Sequence, residues 1–340
     1  MAIVFSGVKT PQTELEEIQS EIYADWGTFR DRDVDISEGH KSGADVYESK
    51  VSVNMLAHST GEVSAGSDSL AVQKTTVNLT KVMFADTVNY ETLLNTRFER
   101  SMAAGAFNTV SSEFDNKILQ QVSPAIAQTM EGVTWDGATA AQKVLIAALT
   151  PGAGQGSISA GAQTLAAAMP SNLVNSLPAI ILHNDSQSKD TPGAGLGDYK
   201  KVLSIASITS STIAAQYALL YATLDSKVLA NEEVIIFAPL AHRQLMKIAN
   251  NSVGAASNQN FLFEGDKASY NGIEVKFKPL VGFMIASPAK YLKILFDLAG
   301  DMNVLETGQM SNGSEEWFYK NVQAYATWCT NQRYITLYGG

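Results

Sequence analysis

The sequence predicts an α+β protein with several separate β-sheets. Residues 234–238 and 283–286 are short, wholly apolar runs of the kind that form buried strands, and residues 272–278 alternate apolar and polar side chains. Along residues 110–126, by contrast, apolar residues recur about every four positions, as in an amphipathic helix. Because strand and helix signals are grouped and do not alternate regularly, a doubly wound α/β fold is not predicted.

The composition is that of a globular chain that can bury a sizeable core. The 340 residues are 45% hydrophobic and 17% charged, and this length fits one large domain or two linked domains. The low share of charged residues leaves neutral surface that other subunits could cover, or it reflects a well-filled monomer. Composition alone leaves both interpretations open.

The charge balance argues against tight nucleic-acid binding. The net charge is -10 at pH 7, and the lysines and arginines are scattered, with only ordinary groupings such as Lys200 with Lys201. Proteins that hold DNA by releasing counterions usually carry a basic stripe. We therefore expect no more than weak contact with nucleic acid.

The cysteine count and the first residues favour a soluble protein made and kept inside the cell. Cys329 is the single cysteine, so neither an intrachain disulfide nor a cysteine-based zinc site can form. Residues 1–9 lack the basic start and the sustained apolar run of a secretory signal. No apolar stretch reaches the ~20 residues needed to span a membrane.

Residues 1–46 are predicted to form an N-terminal arm with one short helix. Thr13 and Glu16 have capping-box spacing. The helix that follows carries an apolar stripe opposite an acidic face, and the stripe consists of Leu15, Ile18, Ile22 and Trp26. Such a stripe needs a surface to pack on, which is either the arm's own domain or a neighbouring subunit.

Residues 47–89 are predicted to form an extended β-hairpin loop. Val51 and Val53 alternate with polar residues on the first strand, and Val77 and Leu79 do so on the second. Two strands with so few apolar residues are marginally stable alone in water. The hairpin is therefore expected to pack on the body of the protein or to lie across a neighbouring subunit.

The rest of the chain is predicted to be helical first and mostly β later. A helical region over residues 90–131 contains Pro124, which should kink or end the helix. In the Ala-, Gly- and Ser-rich middle, we predict helices over residues 138–149, 160–177, 211–224 and 240–250 and strands over residues 178–183 and 234–238. Further strands are predicted over residues 272–278, 283–286, 291–296, 317–329 and 334–338.

No pattern in the sequence indicates a catalytic or nucleotide-binding site. The glycine-rich stretches 152–156 and 193–197 lack dinucleotide-binding spacing and P-loop residues, so they are interpreted as loops. No serine lies in a nucleophile elbow. Cys329 lies in an apolar, aromatic strand, where it should behave as a small hydrophobic residue.

Metal-ligand patterns are equally weak. None of the histidines has metal-ligand spacing to another histidine or to a glutamate; they are His40, His58, His183 and His242. His183 beside Asp185 could form a His–carboxylate pair, but a strand-end histidine is the simpler interpretation. Asp297 and Asp301 flank a glycine at a turn that could bind a cation, although such turns are common without one. We therefore predict no enzyme activity, no cofactor and no metal.

Four consecutive features in residues 231–301 carry a family resemblance. They are the strand over residues 234–239 with the helix that follows it, the run Phe-Leu-Phe-Glu-Gly at 261–265 that leads into Tyr-Asn-Gly-Ile-Glu-Val at 270–275, the segment Phe-Met-Ile-Ala-Ser-Pro at 283–288, and the strand at 291–296 with its Asp-Leu-Ala-Gly-Asp turn. In these features the chain resembles the major capsid proteins of tailed bacteriophages, which have the Hong Kong 97-like fold.

The resemblance implies a domain order and a function for the whole chain. The implied order is an N-terminal arm (1–46), an extended β-hairpin loop (47–89), a peripheral domain with a spine helix (90–135), an axial domain (136–282) and a return to the peripheral domain (283–340). The implied function is an icosahedral capsid that self-assembles in the bacterial host cytoplasm through pentamers and hexamers and encloses double-stranded DNA. Portal, scaffolding and decoration proteins are the implied partners, and no membrane is involved.

On this interpretation the arm and the hairpin supply contacts between subunits. The expected assembly-interface residues are Leu15, Ile18, Ile22, Trp26, Val51, Val53, Val77 and Leu79. Family members often begin with a scaffold segment, but no long acidic helical prelude precedes the arm here, so a separate scaffold or none is expected. Some members crosslink a lysine to an asparagine between subunits; Lys74 lies in the hairpin, but no motif assigns it a crosslink.

Two other functions stay open at the level of sequence. An encapsulin-type nanocompartment shell resembles the same fold but encloses cargo enzymes in place of a genome. An α+β hydrolase or sugar-binding enzyme would need a converging set of acid and base residues, and the sequence offers none that can be identified.

Overall fold

The structure, a computed structural model, divides into two compact units. It describes residues 27–40, 43–52, 69–89, 112–148, 160–184, 200–203, 208–231, 233–252, 261–265, 267–297, 305–309, 316–331 and 334–339. The first unit draws on Met1–Ser42, Leu79–Glu131 and Leu295–Ala326, and the second on Gly43–Asn78, Gly132–Ile294 and Thr327–Gly340.

The described helices and strands are numbered in chain order. The helices are α1 (Gly27–Arg30), α2 (Ser112–Trp135), α3 (Ala140–Ala147), α4 (Ala160–Ala168), α5 (Leu177–Asn184), α6 (Ile213–Thr223), α7 (Ser226–Asn231) and α8 (Leu240–Ser252). The strands are β1 (Asp35–Ser37), β2 (Gly43–Ser52), β3 (Ser69–Asn78), β4 (Thr80–Asn89), β5 (Lys200–Leu203), β6 (Val234–Pro239), β7 (Phe261–Glu264), β8 (Lys267–Tyr270), β9 (Ile273–Lys278), β10 (Phe283–Pro288), β11 (Leu292–Phe296), β12 (Leu305–Gln309), β13 (Glu316–Cys329) and β14 (Thr336–Gly339).

The first unit contains most of a five-stranded sheet in which the long strand β13 is central. The strand order is β1-β11-β13-β12, and β4 pairs with β13 as well. The pairing of β4 with β13 is antiparallel and runs from Asn89 opposite Glu316 to Thr80 opposite Tyr325. Because β12 pairs with the same stretch of β13, at residues 317–321, β4 and β12 lie on opposite edges of it.

Side chains along β13 alternate between a buried and a more open face, as a strand with one covered face requires. Asn321, Gln323 and Tyr325 are buried, whereas Val322 between them is exposed. The buried amides satisfy part of their hydrogen bonding with each other, because Nε2 of Gln323 donates to Oδ1 of Asn321 at 2.7 Å. The predicted strand over residues 317–329 is confirmed.

Helix α2 continues through Pro124. Pro124 was predicted to kink or end the helix, and the second of these alternatives is wrong. A proline inside a helix removes one backbone hydrogen bond and costs about 3 kcal/mol. Pro124 lies on the exposed side of the helix, and the following turns bury Ile126, Ala127 and Met130. Tertiary packing of that apolar side offsets the cost, because packing supplies most helical stability in proteins.

The second unit contains a seven-stranded mixed sheet with the strand order β5-β14-β10-β6-β9-β8-β7. The strands β6 and β9 are parallel, as are β5 and β14, whereas β10 is antiparallel to both of its neighbours. Every residue of the central strands β6 and β10 is buried. This burial explains why both strands are continuous apolar runs without alternation.

Helices cover both faces of this sheet. On one face, Ile236 and Met284 form a core cluster with Tyr217 of α6 and Met246 of α8. On the other face, the ring of Phe237 lies 4.8 Å from the ring of Trp135. The helix α4 covers that second face too, since a Cβ on Gly339 would lie 3.4 Å from the Cβ of Ala162 and 3.0 Å from the ring of Phe283. The unit is therefore a three-layer α/β/α sandwich.

One predicted strand is wrong: residues 178–183 belong to the helix α5. Leu177, Ile181 and Leu182 are completely buried, so the segment is apolar on all sides and shows neither a two-residue nor a 3.6-residue period. Periodicity cannot separate a buried strand from a short buried helix. The predicted helix over residues 160–177 is also too long, because α4 ends at Ala168, two residues before Pro170.

The connection before α3 requires a glycine at position 137. Gly137 has a φ of +108°, and a Cβ there would lie 1.9 Å from Nδ2 of Asn172. That same Nδ2 donates to the carbonyl oxygen of Asp136 at 2.9 Å. Any side chain at position 137 would therefore displace the hydrogen bond that joins this turn to the segment before α5.

Candidate assembly surfaces

The N-terminal residues that the structure describes are packed on the first unit. The predicted stripe of Leu15, Ile18, Ile22 and Trp26 lies outside the described residues. Immediately after it, Thr28 is completely buried, and its backbone N–H and its hydroxyl donate to the two carboxylate oxygens of Glu131 at 2.9 and 2.7 Å. Glu131 of α2 therefore holds the first turn of α1, where unsatisfied backbone N–H groups need an acceptor.

Residues 27–40 are held at their other end by β11. The backbone N–H groups of Gly39 and His40 donate to the carbonyl oxygens of Asp297 and Phe296 at 2.8 and 3.1 Å. The ring of Phe29 meets that of Phe296 edge to face, with 6.4 Å between the centroids. Residues 27–40 thus form a strap that is fixed to the first unit at both ends.

We expect Glu131→Ala to lower the free energy of unfolding by about 1–3 kcal/mol, because it leaves the buried N–H and hydroxyl of Thr28 without their acceptors. The measurement is chemical denaturation followed by circular dichroism. The exposed carboxylate of Glu38 provides the matched control, and Glu38→Ala should change little. An equal free energy of unfolding for Glu131→Ala and the wild type would show that this contact does not stabilise the fold.

The hairpin is shorter than the predicted loop over residues 47–89. The strands β2 and β3 pair antiparallel from Gly43 opposite Asn78 to Ser52 opposite Ser69. Leu79 then interrupts the strand, and β4 joins the sheet of the first unit through β13. A single run of β-forming residues is therefore divided between two sheets, which its alternation did not reveal.

The predicted interface residues of the hairpin occupy different environments. Val51 is in β2, opposite Leu70, and Val53 lies outside the described residues. Val77 is 7% exposed, so the single chain already covers most of it, and Leu79 is partly buried. Their role in a contact between subunits stays a prediction.

The exposed face of the hairpin is polar and internally paired. Nζ of Lys74 lies 2.7 Å from Oδ2 of Asp45, and the hydroxyl of Thr76 donates to Oδ1 of the same carboxylate at 2.7 Å. The hydrogen bond from Lys74 is the main reason that the pKa of Asp45 is lowered, and it raises the pKa of Lys74. Nζ of Lys74 also lies 6.0 Å from the ring centroid of the exposed Tyr47. Because these groups are solvated, the ion pair adds little stability.

The second unit exposes two apolar helix faces. The α3 face consists of Ala141, Val144, Leu145 and Ala148, and the α6 face consists of Ala215, Ala218, Leu219 and Ala222. Val144 is 69% exposed and Leu219 is 48% exposed. Both helices are predicted from the sequence, but the predicted interface residues lie in the arm and the hairpin and not in these helices.

The histidine with the clearest environment is His242 in α8, and it is buried. Its Nδ1 lies 3.2 Å from the hydroxyl oxygen of Tyr217, which is buried too. Burial lowers the pKa of His242 to about 4 and raises that of Tyr217. The neutral pair is held inside the core, where it contributes to packing.

The other candidate groups do not converge in the part of the chain that the structure describes. His40 lies 2.9 Å from the hydroxyl of Ser37, His183 is in α5, and Cys329 is fully buried. His58, Asp185 and Asp301 lie outside the described residues. Among the described residues, no group of three or more His, Cys, Asp or Glu side chains could hold a metal ion, and no helix is long and apolar enough to cross a membrane.

Comparison with known proteins identifies similar solved structures, whereas no protein-family model and no curated protein matches the sequence. The satellite phage P4 procapsid, whose structure includes a size determination protein, is 9% identical and covers 97% of this chain and 99% of that chain, with a TM-score of 0.51. The capsid of an empty GTA particle is 10% identical and covers 99% of both chains, with a TM-score of 0.47. A virus-like particle from Pyrococcus furiosus is 8% identical and covers 95% of this chain and 98% of that chain, with a TM-score of 0.44.

The likeness to the P4 procapsid extends over nearly the whole of both chains. This chain has the Hong Kong 97-like fold of tailed-bacteriophage capsid proteins, and the fold predicted from residues 231–301 is confirmed. At 9% identity the likeness shows the fold alone.

Proposed function

We propose that the chain is the major capsid protein of a tailed bacteriophage, which self-assembles into an icosahedral shell around double-stranded DNA. The fold carries this proposal, because the chain matches a procapsid subunit over nearly its full length. The proposal includes no catalytic step, cofactor or metal. It also includes assembly in the bacterial host cytoplasm and the portal, scaffolding and decoration proteins as partners.

The charge distribution supports a container in preference to a DNA-binding protein. A net charge of -10 without a basic stripe leaves few groups for releasing counterions from phosphate. In a closed shell the DNA is confined by the wall and does not have to be held tightly. The same fold would serve a nanocompartment shell that encloses enzymes, so the contents of the particle decide between the two.

The proposal is tested on particles captured with an antibody against this chain from the bacterial culture that produces it. After nuclease treatment of the intact particles, opening them should release double-stranded DNA that survived the treatment. Release of one abundant enzyme and no DNA would favour the nanocompartment. Captured chain that is not in particles at all would contradict both shell functions.

A further inference from the structure

The faces of α3 and α6 have the same pattern and the same lack of charge. In each face, exposed apolar residues occupy positions i, i+3, i+4 and i+7, beginning at Ala141 and at Ala215. The eight residues of α3 include one charged residue, Lys143, and the eleven residues of α6 include none. In the whole chain 17% of residues are charged.

The one charge in α3 is directed at its own chain. Nζ of Lys143 donates to the carbonyl oxygen of Met169 and lies 3.1 Å from the hydroxyl oxygen of Ser171. The helix begins with Thr139, whose hydroxyl accepts from the N–H of Gln142 at 3.1 Å. The α3 face is thus a regular, capped helix surface without an exposed charge.

A helix that is apolar all round is normally buried on all sides. The inner side of α6 is buried, with Tyr217 and Leu220 in the core cluster, yet its outer side is apolar and exposed. Depletion of charge at the centre is also the compositional mark of protein interfaces. Both features indicate that the outer sides of α3 and α6 are covered in the assembled protein.

The two faces are on opposite sides of one sandwich. The helix α6 packs on the side of the seven-stranded sheet that carries Ile236 and Met284. The helix α3 packs against α4 and α5, and α4 covers the side that carries Phe283. A head-to-tail contact between identical subunits requires two different faces, and such contacts form a ring when the rotation from one subunit to the next closes.

We propose that the α3 face of one subunit packs against the α6 face of a second copy of this chain. The inference rests on the proposed shell function and deepens it by assigning one contact between subunits. Neither face brings a charge to the contact, so packing them together desolvates no ion. Their alanines also allow the two helix backbones to approach closely.

The first test places one carboxylate in each face. Val144→Asp and Leu219→Asp should each lower the yield of shells or rings at least about tenfold, because a lone charge buried in a contact is strongly unfavourable. Both positions are exposed in the single chain, so the fold should persist by circular dichroism. The control is Gln244→Asp, which adds the same charge to an exposed position of α8 and should assemble normally.

The second test separates the head-to-tail contact from two like-with-like contacts. Because the single native cysteine, Cys329, is fully buried, a short bis-maleimide should react only with added thiols. The double variant Val144→Cys/Leu219→Cys should give a ladder of crosslinked chains longer than a dimer, whereas each single variant should stay uncrosslinked. Crosslinked dimers of the single variants would overturn the proposal. They would show that each face packs against the same face of a second copy.

Failure of this inference is distinguishable from failure of the proposed function. If the wild-type chain never forms rings or shells, the proposed shell function is wrong. If the wild type assembles and both aspartate variants assemble equally well, only the α3–α6 contact is overturned. The same conclusion follows if the double cysteine variant assembles but gives no crosslink.

Discussion

Replacing Trp135 with alanine should lower the free energy of unfolding by about 3–5 kcal/mol, the usual loss when a buried aromatic residue is truncated. Trp135 is fully buried at the end of α2, its ring lies 4.8 Å from that of Phe237, and Nζ of Lys278 lies 5.7 Å from its ring centroid. The substitution therefore opens a cavity under the central strand β6 and also removes the aromatic partner of a buried cation.

The loss is measured by chemical denaturation at a concentration at which wild type and variant sediment alike, so that assembly does not enter the comparison. Trp135→Phe keeps a ring in the site and should lose distinctly less. Leu173→Ala provides a surface control, since Leu173 is largely exposed. A loss below about 1 kcal/mol for Trp135→Ala would contradict the packing described for this face of the sheet.

Lowering the pH from 7 to 4 should destabilise the second unit through His242. The pKa of this histidine is lowered from 6.5 to about 4 by burial, so the unfolded chain takes up the proton first as the pH falls. Its contribution is complete above pH 6.5 and is lost between pH 6.5 and about 4, which corresponds to about 3 kcal/mol. The helix α6 that packs here carries no acidic residue that could stabilise the protonated form.

The matched variant for this experiment is His242→Asn. Its side-chain amide can replace Nδ1 of the histidine as the hydrogen-bond partner of the Tyr217 hydroxyl, yet it does not titrate. Unfolding free energies of both proteins are compared at pH 7 and pH 4, so the carboxylates that they share cancel. Parallel loss of stability in the two proteins would show that His242 is not responsible.

The sequence predicts correctly those strands and helices whose pattern of apolar and polar residues fits only one pattern of burial. The apolar runs of β6 and β10 are central strands in which every residue is buried, and the alternation over residues 273–276 of β9 matches an alternation in burial. The helix α8 follows Pro239 as predicted, beginning at Leu240. Predicting these strands and this helix requires no knowledge of what packs on them.

The errors arose where the deciding contact is remote in sequence. The segment of α5 is buried on every side, and nothing within the segment distinguishes helix from strand. The end of the hairpin at Asn78 follows from the pairing of β4 with β13, more than 200 residues away in the chain. The hydrogen bonds from Thr28 to Glu131 also depend on a remote residue, since the two residues are 103 positions apart in the sequence.

The sequence of α6 already contains a signal for the candidate assembly surface. Residues 211–224 were predicted as an apolar helix, and their lack of charge all round the helix already favoured a second covered side. The interface residues predicted in the arm and the hairpin remain predictions. The opposite positions of α3 and α6 required the structure, because sheet order cannot be derived from periodicity.

Electron microscopy of the purified full-length chain, with size-exclusion chromatography beside it, tests the central claim most directly. We predict closed shells of uniform size, or rings of five and six subunits, that elute well ahead of a 36.4 kDa monomer. A chain that stays monomeric at all protein concentrations and at both low and high salt, with no closed particles either on this grid or in the lysate of the culture that produces it, would contradict the shell function.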